Sequence, residues 1–241
     1  MSATQPKNIE VCFSPALIDY YDISDKNVVL IDILRATSTI CTAFEWGVNE
    51  IIPVASEAEA QTFKNKGFIV AGERDGKVLS FADFGNSPFN FMNDAIKDKS
   101  IVYCTTNGTK AIFAAKNAAH LVIGAYLNFS AVINFLEADD RDVLLLCSGW
   151  KNKFNIEDTL FAGAICDRLI SKSNFLTGGD AAIVSTDLWN VAKNELLKYI
   201  DKSDHRKRLR NLNLDDVIDY CHTFDKTDKL PFLSGNIIIC A

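Results

Sequence analysis

The chain has 241 residues, 48% of them hydrophobic and 23% charged, with a formal net charge of −6. These are globular values, well away from a disordered composition, and a chain of this length buries roughly 70–75% of its unfolded surface without disulfide staples. The acidic balance argues against broad nucleic-acid or membrane-surface binding, so an anionic ligand would need a few local cations to hold it against the overall field.

Short apolar runs alternate with segments of helical period along the chain. A strand is expected at Ile9–Phe13 and another at Val28–Ile33, followed by a helix over Thr37–Gly47. Then come a strand at Ile51–Val54, a helix at Glu57–Lys66, and strands at Phe68–Ala71 and Ile101–Thr105. A helix at Thr109–Asn117, a strand at Leu121–Ile123 and a helix at Phe129–Glu137 lead to the strand Val143–Cys147 and the helix Asp158–Ile170. A last strand is expected at Ile237–Cys240. The runs Val28-Val29-Leu30-Ile31 and Val143-Leu144-Leu145-Leu146 do not alternate with polar residues, which is the pattern of strands covered on both faces. The expected class is α/β, a layered α/β/α arrangement around a mixed, partly parallel sheet.

The stretch Arg74–Asn93, broken by Asp75-Gly76, Gly85-Asn86 and Ser87-Pro88, reads as a long loop, and long loops in compact domains are often functional. The whole of 1–241 reads as one domain, with its motifs in a core of about 28–170 and a more helical, charged portion over about 177–235. A two-lobed shape is compatible with this pattern, although no linker marks it. The seven cysteines form no CxxC pair and sit mostly in apolar runs, so buried reduced thiols are expected rather than disulfides or a zinc site. The opening residues do not read as a signal peptide, and no stretch approaches 18 consecutive apolar residues. A cytoplasmic location follows as the expectation. The run His205–Arg210 has acidic residues close on both sides and reads as a solvated helix face rather than a nucleic-acid patch.

Three strand ends share one design, an apolar strand, then small polar residues, then a helix. Val28–Ile33 carries Asp32 and runs into Arg35-Ala36-Thr37-Ser38; Ile101–Thr105 leads into Thr106-Asn107-Gly108-Thr109; Val143–Cys147 leads into Ser148-Gly149, with Glu157-Asp158 opening the next helix. Ligands of open α/β sheets sit outside the carboxyl ends of parallel strands, where helix starts present unpaired N–H groups and partial positive charge. A helix dipole contributes only about 0.3–1 kcal/mol, against roughly 1.5–3 kcal/mol for a hydrogen bond to a charged group. Helix ends alone would therefore hold a multiply charged ligand weakly. Arg35 and Arg74 are the candidate cations, since guanidinium forks match phosphate geometry.

Asp32, Glu73, Glu157 and Asp158 are hard oxygen ligands of the kind Mg²⁺ takes. Adjacent helix residues diverge by about 100°, so Glu157 and Asp158 are not both expected to coordinate directly. Each residue also has a plainer use. Thr37, Ser38 and Thr109 are good N-caps, Asn107-Gly108 is a common turn, the arginines can pair at the surface, and acids stabilise a helix's first turn. No P-loop, HExxH or GxSxG pattern occurs, and His120, His205 and His222 lie apart from the three turns in sequence. Histidine acid–base catalysis is therefore not expected, and a covalent role for Asp32 is a minority reading because the DxD pattern is missing.

These turns resemble those of the 2-phosphosulfolactate phosphatase family. The matching stretches are Val29–Ile40, Ala71–Arg74, Gly85–Pro88, Thr105–Ala111, Ile156–Asp158 and Ala162–Ile165, in family order across about 28–170. The resemblance implies a Mg²⁺-dependent hydrolase converting (R)-2-phospho-3-sulfolactate to 3-sulfolactate and phosphate, an early step where coenzyme M is made. It implies catalytic Asp32, Arg35, Arg74 and Glu157. It also implies a substrate pocket from Thr37, Ser38, Asn86, Ser87, Thr106, Asn107, Gly108, Thr109 and Gly149, with metal ligands drawn from Asp32, Glu73, Glu157 and Asp158. The expected partner is a small anionic phosphate ester, with no nucleic acid and no membrane; a homo-oligomer is compatible with the sequence. A phosphatase for another phosphorylated acid and a non-catalytic sensor of an anionic metabolite are the alternatives.

Overall fold

The structure is a computed structural model that describes residues 5–212 and 214–240. Met1–Thr4, Asn213 and Ala241, which the single-domain and leader expectations include, lie outside the described residues. The strands are β1 (Lys7–Cys12), β2 (Asn27–Ile31), β3 (Glu50–Pro53), β4 (Ile69–Arg74), β5 (Lys77–Val78), β6 (Ser100–Cys104), β7 (His120–Gly124), β8 (Val143–Cys147), β9 (Phe175–Thr177), β10 (Pro231–Ser234) and β11 (Ile237–Cys240). They form one sheet in the order β5-β4-β6-β3-β11-β10-β7-β2-β8-β1-β9. All five residues of β2 and all five of β8 are buried, whichever way they point, so both faces of the sheet are covered there. The α/β class is as expected.

The helices are α1 (Ala36–Glu45), α2 (Glu57–Asn65), α3 (Gly108–Ala114), α4 (Phe129–Ala138), α5 (Ile156–Lys172), α6 (Asp180–Ala192), α7 (Leu196–Ile200), α8 (Asp204–Asn211) and α9 (Ile218–Cys221). Local chemistry sets their starts. Ser56 accepts from Glu59 N at 3.1 Å and Asn155 accepts from Asp158 N at 3.0 Å, each capping the helix that follows.

Two parts of the chain differ from expectation. The Arg74–Asn93 stretch is not all loop: Arg74 pairs with Lys77 across Asp75-Gly76, both at positive φ, which is the primed two-residue turn that matches strand twist. The C-terminal portion is not purely helical, because Pro231–Ser234 pairs with Ile237–Cys240 across Gly235-Asn236. That hairpin sits in the middle of the sheet. β10 meets β7 through Phe232 and Val122, and β11 meets β3 through Ile238 and Ile51.

The hairpin divides the sheet into two parallel sets, β3, β4 and β6 on one side and β7, β2, β8, β1 and β9 on the other. Three antiparallel pairings separate them, so the two sets run in opposite senses. In a flat sheet their carboxyl ends would lie on opposite edges. Twist of about 20–25° per neighbouring pair accumulates to roughly 100–125° from β6 to β2 and turns the ends toward each other. They meet where the turn after β6 abuts the turn after β2. A Cβ on Gly108 would lie 2.6 Å from the Ala36 Cβ and 3.2 Å from Asp32 Oδ2.

The core is aliphatic and continuous across both halves, with a smaller cluster around Val54, Val70, Val102 and Cys104 near the β4 edge. Cys12, Cys41, Cys104, Cys147, Cys166 and Cys221 are buried free thiols. Among the described residues, no helix is long and apolar enough to cross a membrane. Helix α6 packs along α5 through Gly163, where a Cβ would lie 2.0 Å from the Ser185 carbonyl oxygen. Gly163→Ala would gain about 1 kcal/mol of helix propensity, but the overlap is with backbone and cannot be relieved by a rotamer change. We expect a net loss of about 1–3 kcal/mol in urea unfolding.

Candidate active site

Asp32 follows β2 directly and is buried, at 8% exposure. The turn around it is tied by its own polar atoms. Ala36 N donates to Asp32 Oδ1 at 3.2 Å, Asp32 N donates to Thr37 Oγ1 at 3.1 Å, and Thr37 N donates to Asp32 O at 3.0 Å. Ser38 Oγ donates to Ile33 O at 2.9 Å. Thr37 and Ser38 are thus fully buried and committed to the turn, and the Thr109 hydroxyl likewise donates to Thr105 O at 2.9 Å.

Glu73 near the end of β4 is buried and brackets the turn after β6. Its Oε1 accepts from Thr106 N at 2.7 Å; its Oε2 accepts from Thr106 Oγ1 at 2.9 Å and Gly76 N at 2.7 Å. Asp158 does the same for the other half: Ile33 N (2.9 Å) donates to one oxygen, and Gly149 N (3.1 Å) and Asn155 Nδ2 (2.9 Å) donate to the other. Those bonds lock the ends of β2 and β8 onto the start of α5. Both Asp158 oxygens are therefore engaged by protein donors.

Between these brackets lies a cavity of about 20 Å³, walled by Asp32, Leu34, Arg35, Glu73, Gly76, Asn86, Asn107, Trp150, Arg208 and Leu209. A more open groove of about 560 Å³ near Asp25 and Arg141 sits at the amino ends of β2 and β8 and gathers no buried polar side chain. In the small cavity Asn86 is held by the Tyr103 hydroxyl, and Asn107 Oδ1 accepts from Lys151 N at 3.3 Å. The Arg35 side chain, 6% exposed, has no ion pair or side-chain hydrogen bond among the described residues. Burial pushes the Asp32 carboxyl up to about 6; the Ala36 amide and His205 oppose that rise, while Glu73 and Glu157 add to it.

The structure brings Asp32, Arg35, Glu73, Asn86 and Asn107 to one cavity and turns other expected residues elsewhere. Arg74 Nε donates to Glu57 Oε1 at 2.9 Å, on the side away from Glu73. Ser87 precedes a 3-10 turn at Pro88–Phe91 and does not wall the cavity. Thr106, Gly108 and Gly149 shape the turns. Glu157 is fully buried, with Oε1 paired to His205 Nδ1 and Oε2 without a hydrogen-bond partner among the described residues. Burial works against its charge, but the imidazole beside it outweighs this and holds its carboxyl below the usual range.

His205 corrects the sequence reading on two points. It is buried against Glu157 rather than apart from the turns, and the run His205–Arg210 is solvated on one face only. His205, Arg208 and Leu209, spaced i, i+3, i+4, turn inward from α8 onto Trp150, Glu157 and the cavity. Asp204, Lys207 and Arg210 stay exposed. His120 and His222 do not wall the cavity.

A sequence model for the family described as 2-phosphosulpholactate phosphatase matches residues 12–236. The chain belongs to this family. The match runs past the motif-bearing core and takes in α6–α9 and β10. Among curated relatives, a probable 2-phosphosulfolactate phosphatase of Caldanaerobacter subterraneus subsp. tengcongensis is 36% identical over 90% of this chain and 91% of its own length. One of Clostridium novyi is 37% identical over 92% and 95%, and one of Synechocystis sp. is 34% identical over 92% and 95%.

The family's chain here carries a cost at Asp32. Burial pushes its folded carboxyl from the ordinary 3.8 up to about 6. The protonated form folds without penalty below about pH 4, and stability is lost as pH rises through 6. Asp32→Asn should therefore be more stable than the natural protein at pH 8, by about 1–3 kcal/mol, with the gap closing by pH 4. Thermal melts at the two pH values check this.

Proposed function

We propose that the chain is a phosphoric monoester hydrolase that converts 2-phosphosulfolactate to 3-sulfolactate and phosphate. The observation that carries this is one small cavity holding two arginines, Arg35 and Arg208, that have no carboxylate partner among the described residues, beside two carboxylates, Asp32 and Glu73. Guanidinium groups free of protein acids in a polar cavity suit the anionic groups of a phosphate ester, and the family of the chain names the ester.

Arg35 grips the phosphate in this reading, since it belongs to the same turn as Asp32 and its charge is not shared with a protein acid. A guanidinium in a water-poor site stabilises charge shifting among phosphoryl oxygens more strongly than it would in water. Asp32 is the acid at the reacting group, with only the Ala36 amide on one of its oxygens. Its carboxyl, pushed up to about 6 by burial, is still ionised at neutral pH. Asn107 and Asn86 supply neutral hydrogen bonds at the cavity wall.

Mg²⁺ is the expected cofactor. Asp158 and Glu73 each take three hydrogen bonds from protein donors and Glu157 is paired with His205, so Asp32, with one oxygen free of protein donors, is the acid that would hold it, with Glu73 beside it in the cavity wall. No three His, Cys, Asp or Glu side chains cluster as a protein cage among the described residues. Mg²⁺ commonly takes only one or two carboxylates, with waters and phosphate oxygens completing its shell. The raised Asp32 pKa fits the reading, because a carboxylate that is buried, with Glu73 and Glu157 near it, is one that a cation relieves. Bound there, Mg²⁺ would supply further neutralisation of phosphoryl charge. The buried thiols support a cytoplasmic setting.

Phosphate release is measured across a panel of phosphorylated acids with and without Mg²⁺. We expect release from 2-phosphosulfolactate that EDTA abolishes and Mg²⁺ restores, and a fall of at least about 100-fold in kcat for Asp32→Asn. The acid limb of kcat/KM should have its midpoint near pH 6 and move lower as Mg²⁺ rises, since the cation competes with the proton. Tight anion binding without release from any ester would instead mark a sensor.

A further inference from the structure

Arg208 reaches the cavity from a different element than Arg35. Its guanidinium lies 3.5 Å over the Trp150 ring centroid, and its Nε is buried without a hydrogen-bond partner among the described residues. A stacked guanidinium keeps its edge N–H groups available for an oxyanion. The same helix is latched by His205, which pairs with Glu157 and stacks on Trp150 at 5.7 Å. Leu209 closes the packing beside it.

Size and position then decide what Arg208 serves. A cavity of about 20 Å³ has room for roughly one water, far less than an ester bearing phosphate, carboxylate and sulfonate. Beyond Trp150 and Arg208 lies a groove of about 470 Å³ that also touches Lys153, Glu157 and His205. The Trp150–Arg208 stack is the wall that cavity and groove share. Withdrawal of α8 would join them, and Arg208 would then lie along the part of the ester away from Arg35.

We propose that Arg208 is a specificity-determining residue that binds an anionic group of the ester other than the phosphate, its carboxylate or sulfonate, when α8 and its Trp150 stack give way to admit it. This rests on the phosphatase reading above. A net charge of −6 sharpens the need, because each added negative charge on the ligand is opposed by the field of the whole chain.

The test is calorimetric titration of the natural protein, Arg208→Ala and Arg208→Lys with 3-sulfolactate and, separately, with inorganic phosphate. Arg208→Ala should weaken sulfolactate about 10–100-fold, the range for a lost hydrogen bond to a charged group. Phosphate binding should stay within about threefold, and Arg208→Lys should restore part of the sulfolactate affinity. Equal weakening of both anions, no weakening of sulfolactate, or no sulfolactate binding by the natural protein would overturn the proposal. Circular-dichroism melts establish folding; if the alanine variant does not fold, the lysine variant decides by the same contrast. Binding of both anions without hydrolysis of any ester sinks the phosphatase reading and leaves Arg208's role standing. Hydrolysis with equal losses for both anions sinks this proposal alone.

Discussion

Two sets of parallel strands that run in opposite senses can share a site only if their carboxyl ends are brought round to face each other. The β10–β11 hairpin makes this possible by separating the sets with antiparallel pairs whose twist accumulates. The closest point is Gly108, which lies so near Ala36 and Asp32 that a side chain there would hold the two turns apart. Everything chemical follows from that contact. Asp32 comes from one half and Glu73 and Asn107 from the other, and neither half alone assembles the cavity.

The acids divide the work according to what surrounds them. Glu73 takes three hydrogen bonds from the turns after β4 and β6, and Asp158 takes three from the ends of β2, β8 and the start of α5. At roughly 1.5–3 kcal/mol for each bond to a charged group, such brackets can offset much of the cost of burying a carboxylate. Asp32 has only the Ala36 amide on one oxygen, and its raised pKa reflects that shortfall. The rigid acids hold the frame. The under-satisfied one is the acid that the proposed reaction uses, in keeping with the usual pattern when stability and reactivity compete for the same charge.

The sheet was legible because its signals are local. β8 and the Val28–Ile31 part of β2 are unbroken apolar runs, and caps such as Ser56 and Asn155 announce their helices. β10 was missed because it is short and opens on proline, although the Gly235-Asn236 turn beside Ile237–Cys240 is a hairpin signal. Within the site, Glu73 and Arg74 are adjacent on a strand, and adjacent strand residues face opposite ways. Period alone therefore allows only one of them to face the cavity. The same kind of reading divides His205–Arg210 into an inward face carrying His205, Arg208 and Leu209 and a wet face carrying Lys207 and Arg210. What no local pattern contains is that α8, more than thirty residues past α5, returns to cover the ends of β2 and β8. That contact is fixed by packing against Trp150 and Glu157.

The covering helix also changes the electrostatics of the cavity. An exposed arginine on an acidic protein is screened by solvent and offers a ligand little. Half-buried beside Asp32 and Glu73 and stacked on an indole, Arg208 has given up part of its hydration, which an incoming oxyanion can replace, so its hydrogen bonds are stronger than they would be in open solvent. Arg35 stands in the same condition beside Asp32, in the turn after β2. A ligand with one anionic centre can satisfy one of these arginines, whereas an ester with two or more can satisfy both and take over from Trp150 the role of holding α8 down. Selectivity for polyanionic esters and closure of the site are then two consequences of the same unpaired charge.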